Sequence, residues 1–162
     1  MPAITEAVET HGGMEFVVIS DAFPRNAPPF MQKVPWRKET EAAEVAAFDI
    51  GLMPLPDNPW TRGKCGFKLL LYAACGVPAV ASPVGVNSEI VSDGETGILA
   101  SSPEQWTQAL LALGRDAGLR NDMGKAGRAR AEAVYSTRIV IAEWARILKA
   151  AAEGRPAQRR NP

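Results

Sequence analysis

The chain has 162 residues, 46% of them hydrophobic and 22% charged, which is typical of one globular domain. Its 18 basic residues balance 18 acidic ones, and this zero net charge argues against nucleic acid as the main partner. No apolar run approaches the roughly 18 residues of a membrane span, and the N-terminus lacks the basic and apolar regions of a signal peptide. We therefore expect a cytoplasmic domain over residues 1–153 and a disordered, mildly basic tail over residues 154–162.

Helical and strand-forming segments alternate along the chain. We predict helices at residues 3–10, 40–47, 67–75 and 87–91, and two longer ones that begin after Ser102 and Ser136. We predict strands at residues 16–19, 50–53, 79–81 and 98–100, with a further short strand near Val34. Proline-rich segments predict loops at residues 23–29 and 54–66.

Two of these segments carry a burial signal. The strand at residues 16–19 is a continuous apolar run, which is typical of a strand covered on both faces. The helix at residues 67–75 is apolar nearly all round, which predicts a buried helix. Gly76 and Pro78 follow it, and neither residue continues a helix.

Strands that alternate with helices predict an α/β domain with a doubly wound parallel sheet. Such domains open on a central strand, whereas this chain opens on a helix, so the first strand would have to precede Met1. The missing strand would leave unpaired backbone groups in the middle of the sheet, and an exposed edge invites pairing with another chain. We therefore expect the chain to self-associate or to rearrange its N-terminal segment to cover the gap.

The positions of the two cysteines and the single histidine limit which kinds of bond and site we expect in this chain. Cys65 and Cys75 would lie about 15 Å apart along a helix, too far for a disulfide. They form no CxxC pair, and His11 is the only histidine, so a zinc site and a nucleophilic triad are both disfavoured. We interpret His11 as a solvated residue at the end of a helix.

The loop at residues 57–68 is the first candidate site, because ligands of open α/β sheets bind in strand-to-helix loops. Gly63 and Gly66 permit close approach of the backbone, and the following helix offers free N–H groups to an anion. Arg62, Lys64 and Lys68 add positive charge. The pattern predicts a phosphate or diphosphate site, although glycines that only make a turn and cations that are only solvated are an equal alternative.

A second candidate loop follows the strand at residues 79–81, and we expect it on the same edge of the sheet. Asn87 or Ser88 is a candidate helix cap there, and Gly85 a turn residue. The turn at residues 93–97 is interpreted as structural, and the segment 118–125 as a helix boundary.

The tryptophans are interpreted either as packing residues or as residues near the candidate site. Trp106 and Trp144 lie in helical patterns and are interpreted as packing residues. Trp60 is either a pocket residue or a structural anchor, and Trp36 lies near the same edge.

Three motifs in a fixed order carry a resemblance to a known family: GFKLLLYAACGVP at residues 66–78, ASPVG at 81–85 and DGETG at 93–97. Together they resemble the C-terminal domain of family 4 glycosyltransferases, strongly over residues 48–100 and more loosely over residues 16–135. The resemblance implies one Rossmann-like half of the GT-B fold, which binds a nucleotide-diphosphate sugar. It also implies a facing N-terminal domain that is not within these 162 residues.

Many members of that family place two glutamates eight positions apart, the first on the donor sugar and the second on the ribose hydroxyls. Aligned on residues 76–78, these positions are Gly63 and Leu71, and neither side chain accepts a hydrogen bond. Loss of such bonds, at about 1.5–3 kcal/mol each, weakens binding by a factor of roughly 10–100 or more. A non-catalytic binding or scaffold module of the same fold is therefore the alternative function. A dehydrogenase is disfavoured, because no GxGxxG opens a helix after a strand.

The resemblance and the loop chemistry together give our sequence-based assignment. Lys64 and Lys68, with the amides of Gly66 and Phe67, are expected to stabilise charge on the leaving diphosphate without a metal or other cofactor. The expected substrate-binding residues are Gly63, Cys65, Gly66, Phe67, Leu71, Tyr72, Gly85 and Val86. The expected reaction is retaining hexosyl transfer to an unidentified glycan or lipid-linked acceptor, and this chain alone is expected to be inactive.

Overall fold

The computed structural model describes residues 2–155. The predicted tail therefore lies almost entirely outside the described residues. The helices are α1 (Pro2–His11), α2 (Glu41–Ala46), α3 (Pro59–Arg62), α4 (Phe67–Ala74), α5 (Asn87–Ile90), α6 (Pro103–Arg115), α7 (Ala117–Arg130) and α8 (Thr137–Ala152). The strands are β1 (Phe16–Ser20), β2 (Met31–Pro35), β3 (Gly51–Met53), β4 (Ala79–Ala81) and β5 (Gly97–Leu99). A π-helical turn, Ala131–Tyr135, joins α7 to α8, and no helix of residues 2–155 is long and apolar enough to cross a membrane.

All pairings between these strands are parallel, and they form two sheets. One sheet has the order β1-β2, and the other has the order β3-β4-β5. In register, Phe16 lies opposite Met31, Gly51 opposite Ala79, and Ala79 opposite Gly97. The parallel α/β architecture predicted from the sequence is confirmed.

The two sheets face each other across a slot. In the doubly wound order 3-2-1-4-5-6, the first strand lies between the second and the fourth. Placed in that order, β2 and β1 are the third and second strands, and β3, β4 and β5 are the last three. A cavity of about 860 Å³ occupies the position of the first strand, and all five residues of β1 line it. Within residues 2–155 no strand occupies this position between β1 and β3, as expected from the sequence.

Helices cover both faces of the larger sheet. On β4, Val80 belongs to a core cluster with α1 and α6, whereas Ala79 and Ala81 belong to a second cluster with α4 and α5. This alternation places the two clusters on opposite faces, as a doubly wound sheet requires. Segment α1 packs on α6 through Ile4 and Ala7 and remains helical, so the N-terminal segment lines one wall of the gap and does not enter it as a strand; the predicted self-association stays a prediction.

Three predictions about local structure were wrong. The loop at residues 54–66 contains α3, because Pro59 sits at its first position and the Asn58 side chain accepts a hydrogen bond from Thr61 N (2.9 Å). Strand β1 is only half-buried, since it has the slot on one side. Helix α4 buries only Leu69 and Tyr72, and Phe67 is 58% exposed, because α4 packs on a sheet of only three strands.

Candidate functional site

The start of α4 is shaped by Gly66. This residue has φ 68° and is buried, and a Cβ added to it would lie 2.3 Å from Ile90 Cδ1. Only glycine adopts this conformation without strain, and only glycine fits against α5. By contrast, Gly63 has φ −82° and an added Cβ there would make only ordinary contacts. Packing against α5 therefore requires glycine at position 66, whereas no neighbour requires it at position 63, and the predicted close approach of a ligand to either backbone stays a prediction.

The loops after β3 and β4 interlock at one edge of the larger sheet. Gly85 has φ 57°, and an added Cβ there would lie 2.6 Å from the carbonyl oxygen of Arg62. Val86 packs beside Gly66, where its Cγ2 lies 3.2 Å from the position of an added Cβ. Ser82 Oγ accepts a hydrogen bond from Leu55 N at 3.0 Å. The expectation that both loops meet at one edge is confirmed.

Arg62 does not contribute a free charge. Its Nε and Nη2 donate to the two carboxylate oxygens of Asp57, at 2.6 and 2.9 Å. This hydrogen bonding to Arg62 lowers the pKa of the Asp57 carboxyl. The sequence-based sum of three cations in the loop is therefore wrong. Asp57 precedes α3 and Arg62 ends it, so the two side chains come together only because this short helix folds the chain back, which the spacing in the sequence does not show.

Lys64 and Lys68 remain as the cations at this edge. Both side chains are exposed, and among residues 2–155 neither has a carboxylate within ion-pair distance. The backbone N–H groups of Phe67 and Lys68, in the first turn of α4, have no acceptor within the described part of the chain. Two unpaired ammonium groups and a free helix N-terminus thus lie on one short segment, an arrangement suited to an anion.

Leu71 and Tyr72 lie on the α4 face that borders the slot. Leu71 is half-buried and Tyr72 is buried, and the Tyr72 hydroxyl donates to the carbonyl oxygen of Leu52 at 3.2 Å. Burial raises the pKa of the Tyr72 phenol. A Cβ on Gly51 would lie 2.5 Å from the Tyr72 ring, so this ring packs flat against β3. Tyr72 is therefore held as a structural residue beside the site.

Asn87 has a role that the sequence did not reveal. It is fully buried, and its Nδ2 donates to the carbonyl oxygen of Ser82 at 2.9 Å, which fixes the loop after β4. Within residues 2–155 its Oδ1 has no hydrogen-bond partner, and it lies 3.7 Å from where a Cβ on Gly66 would be. The predicted helix cap at Asn87 or Ser88 is wrong, because Val86 precedes the first turn of α5 and makes no side-chain cap.

Predictions for the cysteines, the histidine and the helical tryptophans are partly confirmed and partly wrong. Both cysteines are free thiols, as predicted; Cys65 is exposed in the loop, and burial raises the pKa of the Cys75 thiol. His11 ends α1, but it is half-buried with a shielded Nδ1, so the solvated interpretation is wrong. Trp106 is buried as predicted, whereas Trp144 is 59% exposed and is not a packing residue.

The last interpretations concern turns and the loop tryptophans. Trp60 is 82% exposed, so it is not a structural anchor; it does not line the large cavity, and a role beside a ligand at the loop edge stays a prediction. Trp36 lines that cavity, and its Nε1 donates to Glu41 at 2.8 Å. The turn at residues 93–97 is structural as predicted, since Asp93 accepts a hydrogen bond from Leu99 N. Residues 118–125 lie inside α7, near its start, rather than at a boundary.

Solved structures with the same architecture are known. Sucrose-phosphate synthase from Thermosynechococcus elongatus superposes with a TM-score of 0.80 over 94% of this chain and 42% of its own, at 17% identity. The Anabaena protein HepE, solved in complex with UDP and glucose, gives a TM-score of 0.59 over 75% of this chain and 32% of its own, at 18% identity. At these identities the likeness establishes the fold.

Sequence relatives point to one family. D-inositol 3-phosphate glycosyltransferase of Paenarthrobacter aurescens is 44% identical over 69 residues, which cover 41% of this chain. The corresponding enzyme of Pseudarthrobacter chlorophenolicus is 36% identical over 93 residues, or 56% of this chain. These matches span only 17% and 21% of the relatives' own lengths. The family model for group 1 glycosyl transferases matches residues 5–116, which is more than half of the chain, and the chain therefore belongs to that family.

Proposed function

We propose that this chain binds the diphosphate of a nucleotide sugar at the N-terminus of α4. The observation that carries the proposal is the combination of Lys64, Lys68 and the free amides of Phe67 and Lys68 on one segment. Anionic oxygens accept from such N–H groups, and the helix dipole favours negative charge at the same point. The HepE complex with UDP and glucose supports a nucleotide ligand for this fold.

The interlocked loops give the site a fixed shape. Gly66 packs against Ile90, and Gly85 against Arg62, so the two loops hold each other in place. We assign Gly85 and Val86 to the nucleotide side, and Gly63 and Cys65 to the sugar-facing part of the first loop. Backbone N–H groups fixed in advance stabilise the charge that grows on a leaving diphosphate at little cost of reorganisation, and the two lysines add positive charge beside them.

In this proposal the chain is the donor half of a retaining, cytoplasmic hexosyltransferase. The acceptor, a glycan or a lipid-linked sugar, is placed on a facing GT-B domain, and residues 2–155 alone are expected to transfer no sugar. Lys64 and Lys68 stabilise the departing diphosphate, and no metal or other cofactor is assigned.

One observation favours a second function, a non-catalytic nucleotide-binding or scaffold module. Leu71 lies where a ribose-binding carboxylate is expected, and it is half-buried among apolar residues of the second core cluster. An apolar side chain there accepts no hydrogen bond from ribose. A module of this kind retains diphosphate affinity and shows no sugar transfer even when a facing domain is supplied.

Calorimetric titration with UDP, GDP and their sugars tests the proposal. We expect the change Lys68→Ala to weaken diphosphate binding about 10-fold to 100-fold, the effect of a charged hydrogen bond of about 1.5–3 kcal/mol. The matched control is Lys125→Ala, which removes an exposed lysine from α7 and is expected to leave the affinity unchanged. Equal affinities for the wild type and Lys68→Ala would contradict the assignment.

A further inference from the structure

Asn87 brings an unused hydrogen-bond acceptor to the start of α4. Its side chain is fully buried, and Nδ2 donates to the carbonyl oxygen of Ser82 at 2.9 Å. Only the NH₂ group can donate to a carbonyl oxygen, which settles the orientation of the amide. Among residues 2–155 its Oδ1 has no donor, and it lies 3.7 Å from the position of a Cβ on Gly66. A buried acceptor without a partner is costly, so this oxygen needs a donor from the neighbouring loop.

Gly66 offers that donor. It is itself buried, and its N–H has no acceptor within the described part of the chain. Ile90 and Val86 pack beside Gly66, which holds α5 next to this backbone. An acceptor without a donor and a donor without an acceptor thus lie on two loops that already pack together.

This pair of groups is important because Gly66 immediately precedes the free amides of α4. The N–H groups of Phe67 and Lys68 have no acceptor among residues 2–155. Glycine has the widest choice of φ and ψ, so a hydrogen bond at the Gly66 N–H limits how the next peptide, which carries the Phe67 N–H, is oriented. The Asn87 oxygen can therefore act on an anion at α4 without touching it.

We propose that Asn87 is a positioning residue for the diphosphate: when the anion binds, Asn87 Oδ1 accepts a hydrogen bond from the Gly66 N–H. This bond orients the amides of Phe67 and Lys68 toward the anion. The inference rests on the proposed diphosphate site and goes beyond it, because Asn87 is buried and contacts no ligand. Since two buried groups gain their partners only in the bound state, the bond strengthens binding from within the protein.

The Gly66 amide of the wild-type chain tests the proposal without any variant. In a ¹⁵N,¹³C-labelled sample saturated with UDP, we expect a scalar coupling across the hydrogen bond between Gly66 N and Asn87 Cγ. Hydrogen exchange at the Gly66 N–H should slow by about tenfold or more, because a paired amide exchanges only after local opening. Inorganic pyrophosphate should produce the same two changes.

A matched pair of variants separates positioning from a structural role. We expect Asn87→Ala to weaken the binding of UDP and of pyrophosphate by the same factor, about tenfold, as the loss of one hydrogen bond predicts. A role only in the shape of the loop after β4, on the nucleotide side, would weaken UDP and spare pyrophosphate. The control Thr107→Ala removes a buried hydroxyl on α6 that donates to Glu6 at 2.9 Å, and should change neither affinity.

The outcomes distinguish this role from the site on which it rests. If UDP binds while hydrogen exchange at Gly66 is unchanged, the role of Asn87 is overturned and the diphosphate site stands. Unchanged pyrophosphate affinity in Asn87→Ala has the same meaning, and the wild-type measurement decides if that variant fails to fold. If neither UDP nor pyrophosphate binds the wild type, the diphosphate site is overturned, and the role of Asn87 with it.

Discussion

The two sheets differ in how completely their strands are covered. Strand β4 has a neighbour on each side and is buried at all three positions, whereas β1 has one neighbour and is half-buried at all five. The loops after β3 and β4 are locked together through Gly85 and Ser82. The comparison teaches that the half containing the fully covered strand β4 is also the half that holds the candidate site, so the loops of the site are held in place although the slot beside β3 is open.

Hydrogen exchange measures this difference directly and is expected to give the largest effect. Local opening costs least where few buried contacts hold a strand, so amides of β1 should exchange about 100-fold faster than those of β4, or more. A matched time course followed by mass spectrometry or NMR gives both rates in one sample. Equal protection of the two strands would show that β1 is as firmly held as β4.

Truncation of one apolar side chain in each half sharpens the comparison. Leu69 is only 1% exposed and belongs to the second core cluster, so Leu69→Ala should lower the free energy of unfolding by about 2–5 kcal/mol. The change Ile19→Ala, on half-buried β1, should lower the free energy of unfolding by less than half as much, since the slot already leaves the Ile19 side chain under-packed. Urea denaturation of both variants provides the check; equal losses would argue against an open slot.

Packing of α7 on the end of α4 is tested by a small change. An added Cβ on Gly124 would lie 2.0 Å from the carbonyl oxygen of Gly76, so Gly124→Ala should cost about 1–3 kcal/mol. Gly127→Ala, three residues further along the same helix, would place its Cβ no closer than 3.6 Å to its neighbours, an ordinary contact, and is the control. Thermal denaturation should separate the two variants by several degrees, and coincident curves would mean that α7 is free to move.

Removal of the Tyr72 hydroxyl is expected to give the smallest change in stability. Tyr72→Phe removes its hydrogen bond to the Leu52 carbonyl and should cost about 0.5–1.5 kcal/mol. Because we treat Tyr72 as a structural residue beside the site, diphosphate affinity should stay within about twofold of the wild type. A large loss of affinity with little loss of stability would instead place the phenol in contact with the nucleotide.

The sequence predicted the order and type of most elements, because hydrophobic periodicity, glycine stops and proline loops are local signals. It also predicted an unpaired position within the sheet, which among residues 2–155 is the slot between β1 and β3. It did not predict α7 as a separate helix. It did not predict the pairing of Arg62 with Asp57, which depends on the short helix α3. Nor did it predict the burial of Asn87 or the exposure of Phe67, since both depend on how α5 and α4 sit on a sheet of three strands.

The central claim is that a nucleotide diphosphate binds at the N-terminus of α4, beside the loop after β4. Backbone amide chemical shifts of the ¹⁵N-labelled chain, recorded while UDP or GDP is added, test it most directly. We expect the largest, saturable shifts at residues 64–68 and at Gly85 and Val86, with those of β2 and α8 unchanged. Shifts that cluster at the His11 end of the slot, or no saturable shifts with either nucleotide, would contradict the account.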